Sequence, residues 1–140
     1  MKKENIFIDN FLNFWFRFIY TNYSTIENEN FTYVKQILTR DYSTYSGIIL
    51  EKLYHELFWS SKKFNRIGSY WEKGNQNEID LVAFNDLEKR CVIADIKINP
   101  AKINLPLLKK KSQKIINTYQ KYEVQYLGLS FSDLAQYLTP

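Results

Sequence analysis

Two apolar stretches, each interrupted by an acid, constrain this chain more than any other feature. Residues 78–84 (Glu-Ile-Asp-Leu-Val-Ala-Phe) and 89–98 (Lys-Arg-Cys-Val-Ile-Ala-Asp-Ile-Lys-Ile) have the composition of β-strands, and only Asn85-Asp86-Leu87-Glu88 joins them. So short a connection makes them antiparallel neighbours. Strand alternation then sets Asp80 on a face with Glu78 and Val82, opposite Ile79, Leu81 and Ala83. Asp95 and Lys97 share a face with Cys91 and Ile93, opposite Val92, Ala94, Ile96 and Ile98. Charge in such strands is costly unless it is paired or binds metal. Pairing the two strands brings Asp80 and Asp95 to one point, with Lys97 about 7 Å further along its own strand.

Upstream the hydrophobic period is helical. Asp9 can cap a helix reaching about Asn22. Its apolar residues form two adjoining stripes, Phe11, Phe14, Trp15 and Phe18 beside Leu12, Phe16 and Ile19, which together cover roughly 200° of the circumference. Such a helix is sandwiched in a core or covered by a partner, either a neighbouring domain or a second copy of the chain. A second helix is expected over Asn30–Arg40. A third runs from Ser43 or Thr44 to about Ser60, with Leu50, Leu53, Tyr54, Leu57 and Phe58 as its apolar face and Glu51 on the flank of that face.

Arg66–Trp71 is a further strand, and Lys73-Gly74-Asn75-Gln76-Asn77 is turn chemistry, so three strands should form a meander. Asn104 caps a helix from Leu105 to about Tyr119, with Pro106 tolerated in its first turn. Tyr122–Ser130 reads as a fourth strand, and Ser132 caps a last helix, Asp133–Leu138. The order is three helices, three strands, helix, strand, helix.

At 140 residues this is the length of one ordinary domain, and 17% aromatic residues supply a large core. One cysteine, Cys91, excludes an internal disulfide and a multi-cysteine zinc site, and one histidine, His55, excludes a two-histidine metal motif. A reducing, cytoplasmic setting is the expectation. The apolar run around residues 11–20 is too short to cross a membrane and carries Asn13 and Arg17; no small-residue cleavage site follows it. Neither a phosphate-binding Walker sequence nor a glycine-rich dinucleotide fingerprint occurs, so no nucleotide site is expected. The net charge of +4 tolerates a nucleic-acid partner without demanding one.

Asp80, Asp95 and Glu51 together have a specific chemical use. Two or three carboxylates hold a hard divalent cation through oxygen. The cation acidifies bound water and neutralises a phosphate under attack. A lysine beside them, Lys97, can orient the water or stabilise the transition state. The plainer reading is an internal ion pair of Asp80 and Asp95 with Lys97. Lys109, Lys110 and Lys111 are either a solvated helix face or contacts to a nucleic-acid backbone. Tyr70 and Trp71 either pack at a strand edge or stack on bases.

The run Gly47-Ile48-Ile49-Leu50-Glu51, then Glu78-Ile79-Asp80, then Asp95-Ile96-Lys97 resembles the PD-(D/E)xK, restriction-endonuclease-like superfamily. There an acid on a leading helix precedes an aspartate on the second strand and an acid-x-lysine on the third. Asp95 stands where glutamate is commoner. The Gln-x-x-x-Tyr signature of some of these nucleases is not met, since Asn117 follows Gln113 and Tyr119 falls two residues late. More narrowly, Asp9–Phe18, Ser46–Glu51, Arg66–Trp71 and Asn77–Val82 resemble the C-terminal domain of archaeal-type AAA ATP-binding proteins, a domain of unknown function in archaea and bacteria.

The resemblance implies an α/β fold with a restriction-endonuclease-like three-layer core: a central mixed sheet made of an antiparallel meander, a crossover helix and a parallel strand. An N-terminal helical extension would occupy residues 1–42 and the nuclease-like core 43–140. It implies a metal-dependent DNA nuclease-like domain with Glu51, Asp80 and Asp95 on Mg²⁺ or Mn²⁺ and Lys97 on the water or transition state. The implied partners are DNA and an ATPase domain in cis or in trans, with no membrane. The rival reading is an inactive regulatory, DNA-binding or protein-interaction module of that ATPase.

Overall fold

The structure, a computed structural model, describes residues 21, 23–28 and 31–138. The helix expected over residues 9–22 lies outside them. Two compact units are present, Met1–Ile49 and Leu50–Pro140. Within the first lie the short helix α1 (Tyr23–Glu27) and the start of α2 (Phe31–Ser60), where Arg40 and Asp41 pair at 2.8 Å on the surface. The sequence suggested two helices across residues 30–60, and the chain makes one. Asp41-Tyr42-Ser43-Thr44 contains neither glycine nor proline, and the intrinsic cost of such residues inside a helix is only tenths of a kcal/mol each, so nothing there ends it.

The second unit follows the expected element order. Strands β1 (Arg66–Glu72), β2 (Gln76–Asn85) and β3 (Arg90–Lys97) form an antiparallel meander, and β4 (Glu123–Ser130) runs parallel to β3 at the far edge. The sheet is therefore mixed, in the order β1-β2-β3-β4. Gly74 and Asn75 turn the first hairpin with positive φ, a region glycine and asparagine enter at little cost. Helices α3 (Leu105–Lys111) and α4 (Gln113–Thr118) carry the chain from β3 to β4. Asn104 caps α3 as expected, its side chain accepting from the amide of Leu107 at 3.0 Å.

Both sheet faces are buried. One packs Ile79, Val82, Phe84, Cys91 and Ile93 against Leu108 and Ile115. The other carries Leu81, Ala83, Val92, Ala94 and Ile96, each buried as well. Two side chains of residues 50–60 of α2 hydrogen-bond to backbone carbonyls of the sheet. Tyr54 donates to the carbonyl of Ser130 at 2.6 Å, and His55 Nε2 bonds the carbonyl of Asp80 at 2.7 Å.

Three local expectations are corrected. Ile79 does not oppose Val82; both lie in one core cluster. The cause is in the β1–β2 register. Gly68 pairs with Val82, Tyr70 with Ile79 and Glu72 with Gln76, so β2 spends three residues on each two of β1. Each extra residue is a bulge that reverses the alternation. The helix expected over 105–119 is broken at Ser112, a buried serine whose hydroxyl donates to the carbonyl of Lys109 at 2.9 Å and lies 3.1 Å from the hydroxyl of Tyr126. The last turn is capped by Ser130 and not by Ser132. The amide and hydroxyl of Ser130 donate to Asp133 Oδ2 at 2.8 and 2.9 Å, opening a 3-10 turn (Phe131–Asp133) before α5 (Leu134–Leu138).

Candidate functional site

The paired part of the β2–β3 ladder ends at Leu81 opposite Ala94, one residue short of Asp80 and Asp95. The two strands part there, and the two aspartates stand at the mouth of the gap. Lys97 joins them: its ammonium lies 3.2 Å from Asp95 Oδ1 and 3.5 Å from Asp80 Oδ2. Asp80 Oδ2 also accepts from the amide of Ile96 at 2.8 Å, and Asp95 Oδ2 accepts from the amide of Asn104 at 3.1 Å. The two side chains are 14% and 16% exposed, enough for solvent to reach them and little enough to strengthen their fields.

An aspartate in a simple ion pair sits low, yet the Asp80 carboxyl is held above its usual range. Burial is the main cause, and the neighbouring Asp95 adds to it against the pull of the Ile96 amide and Lys97. Lys97 is raised despite burial, because both carboxylates act on it. One ammonium serving two acids, at 3.5 Å from the first, neutralises neither completely. Glu51 adds a third negative group. Burial pushes its carboxyl up to about 7, with further push from Asp80 and Glu78 and relief from Lys97. Glu51, Asp80, Asp95 and Lys97 are thus brought together electrostatically. Among the described residues no group of three or more His, Cys, Asp or Glu side chains has the geometry to hold a metal ion.

A cleft of about 160 Å³ opens on these groups. Glu78, Asp80, Asp95 and Lys97 line it together with Lys102, Asn104 and Lys111. Beside the cleft lies Gly128, which pairs with Asp95 across β3 and β4. A Cβ there would lie 2.5 Å from Ile103 Cγ2, so only glycine lets the 3-10 turn (Pro100–Lys102) and Ile103 close down beside the acids.

The lysine run divides. Lys111 lines the cleft; Lys109 lies over the ring of Tyr126 at 5.4 Å; Lys110 is exposed on the same helix. Tyr70 is structural, packed on the core and donating to Glu72 at 2.9 Å, whereas Trp71 is 62% exposed. Cys91 is buried and its thiol is pushed up to about 11 by that burial, the state of an inert core cysteine. The sequence sets Glu78 on the face of Asp80 and leaves His55 as a surface or capping residue, and it does not name Lys102 as a neighbour of the site. His55 had a signal: it lies four residues after Glu51, one turn along the same helix face. Lys102 had none, because only the close approach at Gly128 seats it there.

No helix among the described residues is long and apolar enough to cross a membrane. A family model described as archaeal and bacterial proteins of unknown function, DUF234, matches residues 15–116. That span holds every cleft residue named above and stops before β4. An uncharacterized protein of Methanocaldococcus jannaschii is 33% identical over 135 residues, covering 86% of this chain and 30% of its own length. The chain therefore spans less than a third of that relative. No solved structure matches.

Proposed function

The chain belongs to the DUF234 family, and on that premise we propose that its α/β unit is a metal-dependent nuclease-like domain of restriction-endonuclease-like fold. The observation that carries the reading is Lys97 held between Asp80 and Asp95 at the mouth of a solvent-open cleft, with Glu51 pressed into the same field. Two oxygens that already share one cationic group have the disposition to share a divalent cation, and oxygen is the donor such cations take. In this reading Asp80, Asp95 and Glu51 would hold Mg²⁺ or Mn²⁺, which supplies an acidified water and charge neutralisation at phosphorus. Lys97, released from part of its pairing, orients the attacking water or stabilises the added negative charge. Glu51, titrating near neutrality, can hold or release a proton beside it. His55 and Ser69 fix the backbone of Asp80 by bonding its carbonyl, at 2.7 and 3.3 Å.

The proposal includes an AAA-type ATPase segment as companion in cis or in trans, and DNA as substrate, both on the strength of the sequence resemblance. The test is cleavage of labelled single-stranded and duplex DNA with Mn²⁺, compared with Asp80→Asn, alongside melting with and without the metal. Metal should raise the wild-type Tm by mass action and leave the variant unmoved.

A second reading is favoured by two observations: Lys97 already contacts both aspartates, and no metal-holding trio occurs among the described residues. It makes the cleft an ion-paired scaffold in an inactive interaction module. Unchanged melting with millimolar Mn²⁺, together with severe destabilisation by Asp80→Asn, would select it.

A further inference from the structure

We infer that Lys102 and Lys111 form a two-ammonium clamp for a backbone phosphate of a nucleic-acid strand, in the cleft that the acids also line. This rests on the nuclease-like reading of the cleft and adds how the strand is held. Both lysines line the same small cleft as Asp80 and Asp95, and they come from different elements, the 3-10 turn and the end of α3. Lys111 is half-buried, so its stem is fixed while its ammonium stays at the cleft. Among the described residues neither forms an ion pair, whereas Lys97 is engaged by two acids and Lys114 by Glu72 at 3.1 Å. Two unspent positive charges in a concavity need an anion.

The charge balance says which anion and when. Glu78, Asp80 and Asp95 line the cleft with Lys97, Lys102 and Lys111. Three acids against three ammoniums leave the cleft close to neutral, and a phosphodiester is repelled by the acids as it is drawn to the lysines. Any added positive charge beside the acids tips the balance. A strand that lays one phosphate on the lysines brings its neighbouring phosphate towards Asp80 and Asp95. The clamp would therefore set which linkage is presented, and Lys110 would take no part.

 Lys110 is exposed on the same helix but does not line the cleft, which makes it the internal control.

The experiment is fluorescence anisotropy of a fluorescein-labelled oligonucleotide with the full chain, in EDTA and again with Ca²⁺. Each phosphate contact contributes about 0.7–0.9 to the log–log salt slope, so Lys102→Ala and Lys111→Ala should each weaken binding roughly fivefold to tenfold at about 0.1 M salt, and the double variant should flatten the slope by about one. Lys110→Ala should do neither. Asp80→Asn should tighten binding in EDTA, because it removes repulsion, and Lys102→Ala should cancel that gain. Circular dichroism melts confirm that each variant is folded. Wild-type affinity and slope in both lysine variants, or an equal loss in Lys110→Ala, would overturn the clamp. Binding is read without turnover. A chain that fails to cleave DNA with Mn²⁺ but loses affinity through Lys102 and Lys111 would fail the nuclease reading and keep the clamp.

Discussion

The two ends of the sheet each hold an aspartate beside a cation, and they treat it oppositely. Asp86 sits in the β2–β3 turn, where Arg66 reaches it with two nitrogens at 2.8 and 2.9 Å, Asn65 donates at 2.7 Å and Tyr122 at 2.7 Å. Hydrogen bonds from Arg66, Tyr122 and Asn65 hold its carboxyl well below the usual range. Arg66 is in turn stacked on Phe84, 4.3 Å from the ring centre, and is held well above its usual range by the bond to Asp86. Asp86 and Arg66 are each other's dedicated partners. At the other end burial raises Asp80, and Lys97 is divided between two acids. A satisfied pair needs nothing further from outside the chain; an under-neutralised cluster has free energy to gain from a ligand.

The largest effect that would break this contrast is on activity. Asp80→Asn should lower Mn²⁺-dependent DNA cleavage by a factor on the order of 10²–10³, the size of removing one electrostatic stabiliser from a site. Asp86→Asn should leave the rate unchanged and lower Tm instead, since Arg66 loses its carboxylate. Parallel rate assays and melts decide it; equal losses of Tm in the two variants would mean that both ends are structural.

Gly128→Ala sharpens the contrast at the level of packing. Its new methyl meets Ile103 at 2.5 Å, so a loss of about 1–3 kcal/mol is expected. Ile103→Ala in the same chain should recover part of that loss, an interaction that a double-mutant cycle of denaturation midpoints measures.

Acidity should separate the two ends without any mutation. Glu51, with a folded value near 7 above its unfolded one, favours the folded state once protonated. In metal-free buffer, stability should therefore rise as pH falls from about 7 towards the ordinary glutamate range near 4.3, and Glu51→Gln should abolish that rise. Asp86 has the opposite sign. Its contribution is complete above the ordinary aspartate range and is lost as pH falls below it. Melting across pH 3–8 shows the two windows; a stability that only falls on acidification from pH 7 contradicts the assignment of Glu51.

The smallest effect is a control for proximity alone. Arg90 and Glu88 pair at 3.4 Å at the Asp86 end, but more than half of each side chain is exposed. Glu88→Ala should change stability by no more than about 0.5 kcal/mol in urea titration.

Much of this was legible in the sequence, and the reasons are local. The meander follows from short connections, the parallel return of β4 from a helix-length crossover, and the α3 cap from Asn104. Glu51, Asp80, Asp95 and Lys97 were nameable because charge stands out in apolar strands and beside an apolar helix face. What escaped depends on non-local geometry. The face of Ile79 is set by register against β1, and no pattern within β2 announces it. Ser112 breaks its helix because Tyr126 and the carbonyl of Lys109 take up its hydroxyl. Lys102 enters the cleft only because a residue 26 positions later lacks a side chain.

The uneven count of residues between β1 and β2 has an evolutionary consequence. A strand in step with its neighbour loses one residue and merely shifts its ends. Here residues 76–82 carry two more positions than their partners, and the excess decides which side chain looks into the cleft. A single-codon deletion in that stretch would exchange the outlook of acid and aliphatic residues while leaving composition and hydrophobicity almost untouched. Length in this segment is thus under tighter restraint than identity: Val82 can drift to Ile with little harm, but the spacing from Gln76 to Val82 cannot change without altering how β2 is matched to β1.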